Sequence, residues 1–221
     1  MRYQDKHSPW SSHSRILAYL ESLPENSKVL DVGAATGMLA RRSNKALRYF
    51  GIEAVPEWAH IAAPYYEKIW NCTLEATTDE MLGGYDAVVF GDVLEHLSEP
   101  HLALKRIVEL QSSGSKIILS VPNVAHILIR LSLLFGHFEY TERGILDRTH
   151  LRFFTYKTFI SLIKEAGLDI LSIHVTPIPL ELVSPFFNSA LGKFVYAVFA
   201  QVTFLLPTLM GFQFVAETRK P

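Results

Sequence analysis

The run Val29 to Gly37 reads Val-Leu-Asp-Val-Gly-Ala-Ala-Thr-Gly, an apolar stretch that meets an acid and then a turn of very small residues. Gly33, Ala34, Ala35 and Gly37 leave the backbone open to close approach by a ligand, and a helix starting at Met38 would turn amide N–H groups toward it. Glu53 closes the next apolar run, about 20 residues after Gly33, where a carboxylate can accept both hydroxyls of a ribose held over the turn. These residues predict a site for an adenosine-containing cofactor. NAD and S-adenosylmethionine both carry that ribose, so the turn must separate them. A dinucleotide fingerprint asks for glycine at positions 33, 35 and 38, where this chain has Gly33, Ala35 and Met38. Asp31 is also out of place beside a pyrophosphate, whereas it would attract the cationic amino-acid end of S-adenosylmethionine. The reading is therefore S-adenosylmethionine, and a nicotinamide-dependent oxidoreductase is set aside.

Apolar runs alternate with amphipathic ones along the chain, the pattern of an α/β protein with helices on both faces of a mostly parallel sheet. Strands are predicted at Lys28–Val32, Tyr49–Glu53, Asn71–Leu74, Tyr85–Phe90, Lys116–Val121, Leu168–Val175 and Phe212–Glu217. Helices are predicted at Ser14–Leu23, at Met38–Leu47, from Pro56 to a break at Pro64, and from Pro100 to Gln111. Thr155 caps another, with Phe159, Leu162, Ile163 and Ala166 on one face and Gly167 as its stop. The segments 123–152 and 176–209 do not fit the alternation and are read as substrate-side insertions in a single domain spanning 1–221.

The chain has 221 residues, 49% hydrophobic and 19% charged, with a formal charge of −1. It is long enough to bury a full core, and neither its charge nor any Lys/Arg run supports nucleic-acid binding. Cys72 is the single cysteine, so no internal disulfide can form, and a structural role in a reducing, cytoplasmic setting is expected. The amino-terminal run MRYQDKHSPWSSHSR lacks a signal-peptide core. Phe194 to Ala216 carries no charged residue, but Pro207 and Gly211 interrupt it. A buried helix, a turn and a terminal strand are expected there rather than a membrane span.

On the residues Val29–Gly37, Tyr49–Glu53, the run from Tyr85 through Asp92-Val93-Leu94-Glu95-His96-Leu97, and Val121-Pro122-Asn123, the sequence resembles the seven-stranded S-adenosylmethionine-dependent methyltransferases. The Asp92–Leu97 run is similar to the branch that includes the ubiquinone-biosynthesis O-methyltransferases. The run Gly144 to Thr155 looks like bacterial members associated with cell-surface polysaccharides. The resemblance implies a three-layer sandwich with a Rossmann-like, mostly parallel seven-stranded sheet and one antiparallel strand. It places Asp31, Gly33, Ala35 and Gly37 along the methionine and ribose, Glu53 on the ribose hydroxyls, Leu74 and Glu75 beside the adenine, and Asp92 at the methionine end. Two departures stand out. Ala35 replaces a usual glycine, and the Cys72–Glu80 region lacks the common Gly-Asp pair, with Thr73 where the acid is expected.

Methyl transfer from a sulfonium needs alignment and a dry pocket, and a general base only for a weakly acidic hydroxyl. His96, just past the fourth predicted strand, is a candidate base, or else it satisfies a helix start. Asn123 either orients the acceptor or ends its strand. Asp147 and His150 either join a polar cluster over the pocket or belong, with Arg148 and Arg152, to a salt-bridged loop. The histidines lack metal-ligand spacing, so no metal site is expected. The acceptor is read as a small molecule or glycan. The apolar residues Ile127 to Phe135 and Leu180 to Phe187 are core or dimer contact, or a lid for a lipid-linked acceptor at a membrane surface. A second reading of the whole is a non-catalytic S-adenosylmethionine-binding sensor or assembly subunit.

Overall fold

A computed structural model describes residues 8–221; the amino-terminal run read above falls partly on residues 1–7, outside the described residues. The first element of the described residues is α1 (Ser12–Leu20), whose first turn is capped by the Ser11 hydroxyl accepting from the Ser14 N–H. The chain continues through β1 (Lys28–Val32), α2 (Met38–Arg42), β2 (Arg48–Ile52), α3 (Pro56–Ala62), β3 (Lys68–Trp70), α4 (Asp79–Leu82) and β4 (Ala87–Gly91). Next come α5 (Pro100–Glu109), β5 (Lys116–Pro122), α6 (Ile127–Leu134), α7 (Tyr156–Glu165) and β6 (Asp169–Thr176). The chain ends with α8 (Leu180–Val183), α9 (Ala190–Leu205), α10 (Pro207–Met210) and β7 (Gln213–Arg219).

The seven strands form one sheet in the order β3-β2-β1-β4-β5-β7-β6. Pairing is parallel from β3 to β5, and β7 runs antiparallel to both β5 and β6. Alternating side chains feed two cores. Leu30, Val88, Ile117 and Phe214 pack with Leu104, Ile107 and Phe159 on one face. Val29, Val89, Ile118 and Val215 pack with Ile16, Leu20 and Met38 on the other. This is the three-layer α/β arrangement, because each inner strand is apolar on both faces and must be covered twice.

Several boundaries differ from the sequence reading. The third strand is Lys68–Trp70, not Asn71–Leu74; at Asn71 the side-chain amide donates to the carbonyls of Glu53 and Ala54 and turns the chain out of the sheet. The helix from Met38 ends at Arg42, because Ser43 exchanges local hydrogen bonds with Lys45 and adopts an extended backbone. The helix expected to be buried near the carboxyl end is α9, and its outward face is exposed and apolar. No helix among the described residues is long and apolar enough to cross a membrane.

The sheet order reverses direction between β1 and β4, so the loops leaving their carboxyl ends diverge to opposite sides and leave a crevice. At the other end of the mouth, the register sets Pro122 opposite Gln213 and Gln213 opposite Thr176. Both irregular segments, the one after β5 and the one between β6 and β7, therefore rise from this same edge.

Candidate functional site

Asp31 occupies β1 on the face packed against Ala34 and Tyr66 and is almost fully buried. Its Oδ2 accepts from the Tyr66 hydroxyl at 2.6 Å. Burial raises its carboxyl to about 7, the Tyr66 hydrogen bond opposes this, and nearby Glu53 adds to it. Its electrostatic neighbours are thus a phenol and a second carboxylate, not a cation. A buried acid in that state is ready to ionise against an incoming ammonium.

Past β1 the backbone enters the left-handed region at Gly33 (φ 73°), Ala35 (φ 47°) and Gly37 (φ 77°). A Cβ at Gly33 would lie 2.6 Å from Val93 Cγ2, so the turns after β1 and β4 touch across the crevice and only glycine fits between them. Ala35 holds a conformation that costs an L-residue roughly 1–2 kcal/mol. The loop amides do not face outward as the sequence suggested. Gly33 and Ala34 donate to the Ile52 carbonyl at 2.8 and 3.1 Å, and Ala35 donates to Glu53 Oε2 at 2.7 Å. The parallel register of β1 and β2 brings those partners alongside the turn. Glu53 is also buried, and its Oε1 accepts from the Val55 N–H at 2.8 Å. Each oxygen keeps acceptor capacity for a ribose hydroxyl.

Asp92, directly after β4, is a non-glycine residue at φ 59°. Its Oδ1 accepts from the Ser120 hydroxyl at 2.5 Å and its Oδ2 from Gln213 Nε2 at 2.7 Å. Neighbouring strands β5 and β7 therefore clamp it at the floor of the mouth. Leu74 and Glu75 sit in a short turn, and with Leu97, Ser98, Leu102 and Arg106 they line a cavity of about 280 Å³. The candidate residues thus present a buried acid, a glycine turn that a side chain would fill, a second buried carboxylate and a hollow beside Leu74 and Glu75. The set fits the cofactor.

Of the four residues expected to serve catalysis the fold gathers three, His96, Asp147 and His150. His96 Nδ1 lies 3.2 Å from both the carbonyl and the hydroxyl of Thr149. Thr149 donates its hydroxyl to Asp147 Oδ1 at 2.7 Å and its N–H to the same oxygen at 2.8 Å. The His96 and His150 rings meet edge to face, centroids 4.9 Å apart. A carbonyl can only accept, so His96 carries its proton on Nδ1 and leaves Nε2 as an acceptor; this tautomer is assigned from the hydrogen-bond partners. His150 is tied the same way, Nδ1 to the Ile145 carbonyl at 3.0 Å. Burial holds it below the ordinary histidine value. Burial would raise the Asp147 carboxyl, but the Thr149 N–H and hydroxyl, with His150 and His96, bring it below the usual carboxylate range.

Asn123 is the exception. It is fully buried, its amide donates to the carbonyls of Thr208 and Gly211, and its oxygen accepts from the Ala125 N–H. Both amide N–H groups go into locking the end of β5 to the approach of β7, which favours the strand-ending reading of Asn123 over the acceptor-orienting one. Arg148 and Arg152 are loop residues as expected, paired with Glu142 at 2.7 Å and Glu99 at 3.3 Å. Sequence reasoning missed Glu95 and Thr149. Glu95 is buried, and its carbonyl receives the N–H groups of Leu151 and Arg152, which brings His150 beside His96. One ligand atom each from Glu95, His96 and His150 consequently lies within 4.8 Å of the others. This corrects the reading that the histidines lack ligand spacing, because His150 arrives from a distant loop that local spacing does not reveal.

The chain matches the methyltransferase domain family over residues 3–173. It is 26% identical over 160 residues to the ubiquinone biosynthesis O-methyltransferase of Xanthomonas axonopodis pv. citri, covering 66% of this chain and 64% of that one. It is 27% identical over 145 residues to the mitochondrial ubiquinone biosynthesis O-methyltransferase of Mus musculus, covering 61% of this chain and 37% of the other. The matches thus span less than two thirds of the length of these relatives. Among solved structures, magnesium protoporphyrin IX methyltransferase from Synechocystis PCC 6803 with bound SAH superposes with a TM-score of 0.64 at 16% identity, covering 95% of this chain and 82% of that one. The likeness to that structure is one of fold, and the match over most of the chain establishes that it belongs to the methyltransferase domain family.

Proposed function

We propose that the chain is an S-adenosylmethionine-dependent methyltransferase acting on an oxygen of a small molecule or glycan, and that His96 receives the acceptor's proton. The observation that carries the reading is the chain Asp147–Thr149–His96 at the mouth. Thr149 fixes the His96 tautomer, Asp147 fixes Thr149, and Nε2 stays available as a base. The O-methyl chemistry in the names of the two curated relatives supports the same choice of acceptor atom. When bound, S-adenosylmethionine supplies a methyl group on a cationic sulfur. Asp31 would hold its ammonium end, Gly33, Ala35 and Gly37 would let the backbone lie against it, and Glu53 would hold the ribose hydroxyls. Leu74 and Glu75 would border the adenine, and Asp92 would hold the floor near the methionine end. His150 narrows the mouth beside His96 and helps to exclude water.

The test is a methyl-transfer screen over phenols, hydroxy acids, sugars and lipid-linked glycans, with wild type and His96→Ala side by side. A hydroxyl acceptor is expected, and His96→Ala is expected to lower turnover by about 100-fold or more while leaving S-adenosylhomocysteine affinity within about twofold. Unchanged turnover with the true acceptor would remove His96 from the chemistry. An acceptor methylated only at nitrogen or carbon would overturn the oxygen assignment.

A further inference from the structure

The two segments that rise from the edge at Pro122, Gln213 and Thr176 are unlike ordinary surface helices. In α6, with sequence Ile-Leu-Ile-Arg-Leu-Ser-Leu-Leu, no residue is buried. Leu134 and the following Phe135 are each 74% exposed. In α9 the exposed apolar residues Leu191, Phe194, Val195, Val198, Val202 and Leu205 recur at helical spacing and form one outward stripe. The inward side of α9 holds Gly192, Tyr196, Ala200 and Thr203. The outward side is therefore more apolar than the inward one, the reverse of a helix made to face water. Phe194 at 67% and Leu205 at 79% exposure show how little of this stripe the fold covers.

The two segments are joined at their roots. The Asn123 amide donates to the carbonyls of Thr208 and Gly211, and the His126 ring at the start of α6 lies edge-on to Phe212. They thus stand on the same side as the mouth that holds His96 and Asp92. Their charge is one-sided. Across residues 127–138 and 182–216 the only formally charged side chains are Arg130 and Lys193, both cations and both exposed. The intervening loop is balanced, with Glu139, Glu142 and Asp147 against Arg143, Arg148 and Arg152, of which Glu142 and Arg148 pair; Glu181, just before the second stretch, has both carboxylate oxygens buried.

We propose that α6 and α9 form a docking surface for an anionic lipid bilayer, seated over the acceptor mouth. A broad apolar stripe with interspersed cations is what binds in the headgroup region of such a surface without spanning it. A second copy of the chain suits the face less well. A two-fold interface sets a patch against itself, and here cations would meet cations with no acid in α6 or α9 to pair them. The inference does not depend on the acceptor assignment, because lipid binding is read without turnover.

The experiment is co-sedimentation of the full chain with vesicles of phosphatidylglycerol and phosphatidylcholine mixed, or of phosphatidylcholine alone, at low and high salt. Binding to the anionic vesicles is expected, weaker on the neutral ones and reduced by salt. The double variants Leu134→Ser/Phe135→Ser and Phe194→Ser/Leu205→Ser are each expected to lower the partition at least tenfold. Arg130→Glu and Lys193→Glu are each expected to lower it about 30-fold, two charge steps of roughly fivefold apiece. All of these positions are exposed, so S-adenosylhomocysteine binding reports that each variant is folded and that the cofactor site is intact. Wild type remaining in the supernatant with every vesicle would overturn the proposal, as would variants that sediment like wild type. A concentration-dependent dimer abolished by the same double variants, without lipid binding, would assign the face to self-association and likewise overturn it.

Discussion

The proposed pairing of Asp31 with the cofactor's ammonium makes binding depend on pH in a way that its surroundings fix. Burial, offset in part by Tyr66 and reinforced by Glu53, raises its carboxyl from 3.8 to about 7 in the ligand-free protein. If the cofactor's ammonium pairs with ionised Asp31, binding below pH 7 must expel a proton. Affinity then falls about tenfold for each pH unit below 7, so S-adenosylhomocysteine should bind roughly 30-fold more weakly at pH 5.5 than at pH 7.5, about 2 kcal/mol. Stability of the ligand-free protein moves the other way. The folded value lies above the unfolded one, so the stabilising contribution is full below about pH 4 and is lost as pH rises through about 7. The shift corresponds to roughly 4 kcal/mol at most. Calorimetric titrations in two buffers of different ionisation enthalpy should show release of close to one proton near pH 5.5 and much less at pH 8. Asp31→Asn should bind weakly at every pH without the pH slope, and should be more stable than wild type at pH 8 when ligand-free. A flat affinity from pH 5.5 to 7.5 with no proton release would refute the pairing.

Three further outcomes follow from the same geometry. Glu53→Ala removes the acceptor for the Ala35 and Val55 N–H groups. It should weaken S-adenosylhomocysteine binding at least tenfold and lower stability by about 2 kcal/mol, as read by calorimetry and thermal melting, while the domain still folds. Ala35→Gly relieves the left-handed backbone at φ 47° and should not weaken cofactor binding; a melting point below that of wild type would show that the strain argument is wrong, since about 1 kcal/mol is to be gained. Asn123→Ala strands the buried carbonyl of Gly211 and removes the part-buried bond to Thr208, and should cost about 1–3 kcal/mol in denaturant unfolding. An unchanged midpoint would return Asn123 to the list of acceptor contacts.

Much of the architecture was legible because its signals are local. Lys28–Val32 as the first strand, the Thr155 cap before α7 and the break at Gly167 rest on alternation, a capping hydroxyl and a stop residue, all read within a few positions. The third strand was displaced because it is a three-residue edge strand paired on one side only, too short for a pattern to fix its register. The uncharged run from Phe194 was readable as a helix, but not that one whole side of it stays exposed, which depends on how little of the fold lies against it. The cofactor turn was readable from residue types, but not that its amides are already held by Ile52 and Glu53, since that depends on how β2 lies against β1. The grouping of Glu95, Thr149 and His150 around His96 had no local signature. Two backbone hydrogen bonds to the Glu95 carbonyl bring the loop there from far along the chain.

The most direct measurement is a calorimetric titration of the purified protein with S-adenosylhomocysteine, with NAD titrated in parallel. Micromolar, one-to-one binding of S-adenosylhomocysteine and no heat from NAD is the predicted result. Binding of NAD, or silence from both ligands, would contradict the assignment of the turn at Gly33 and the carboxylates Asp31 and Glu53 to an S-adenosylmethionine site.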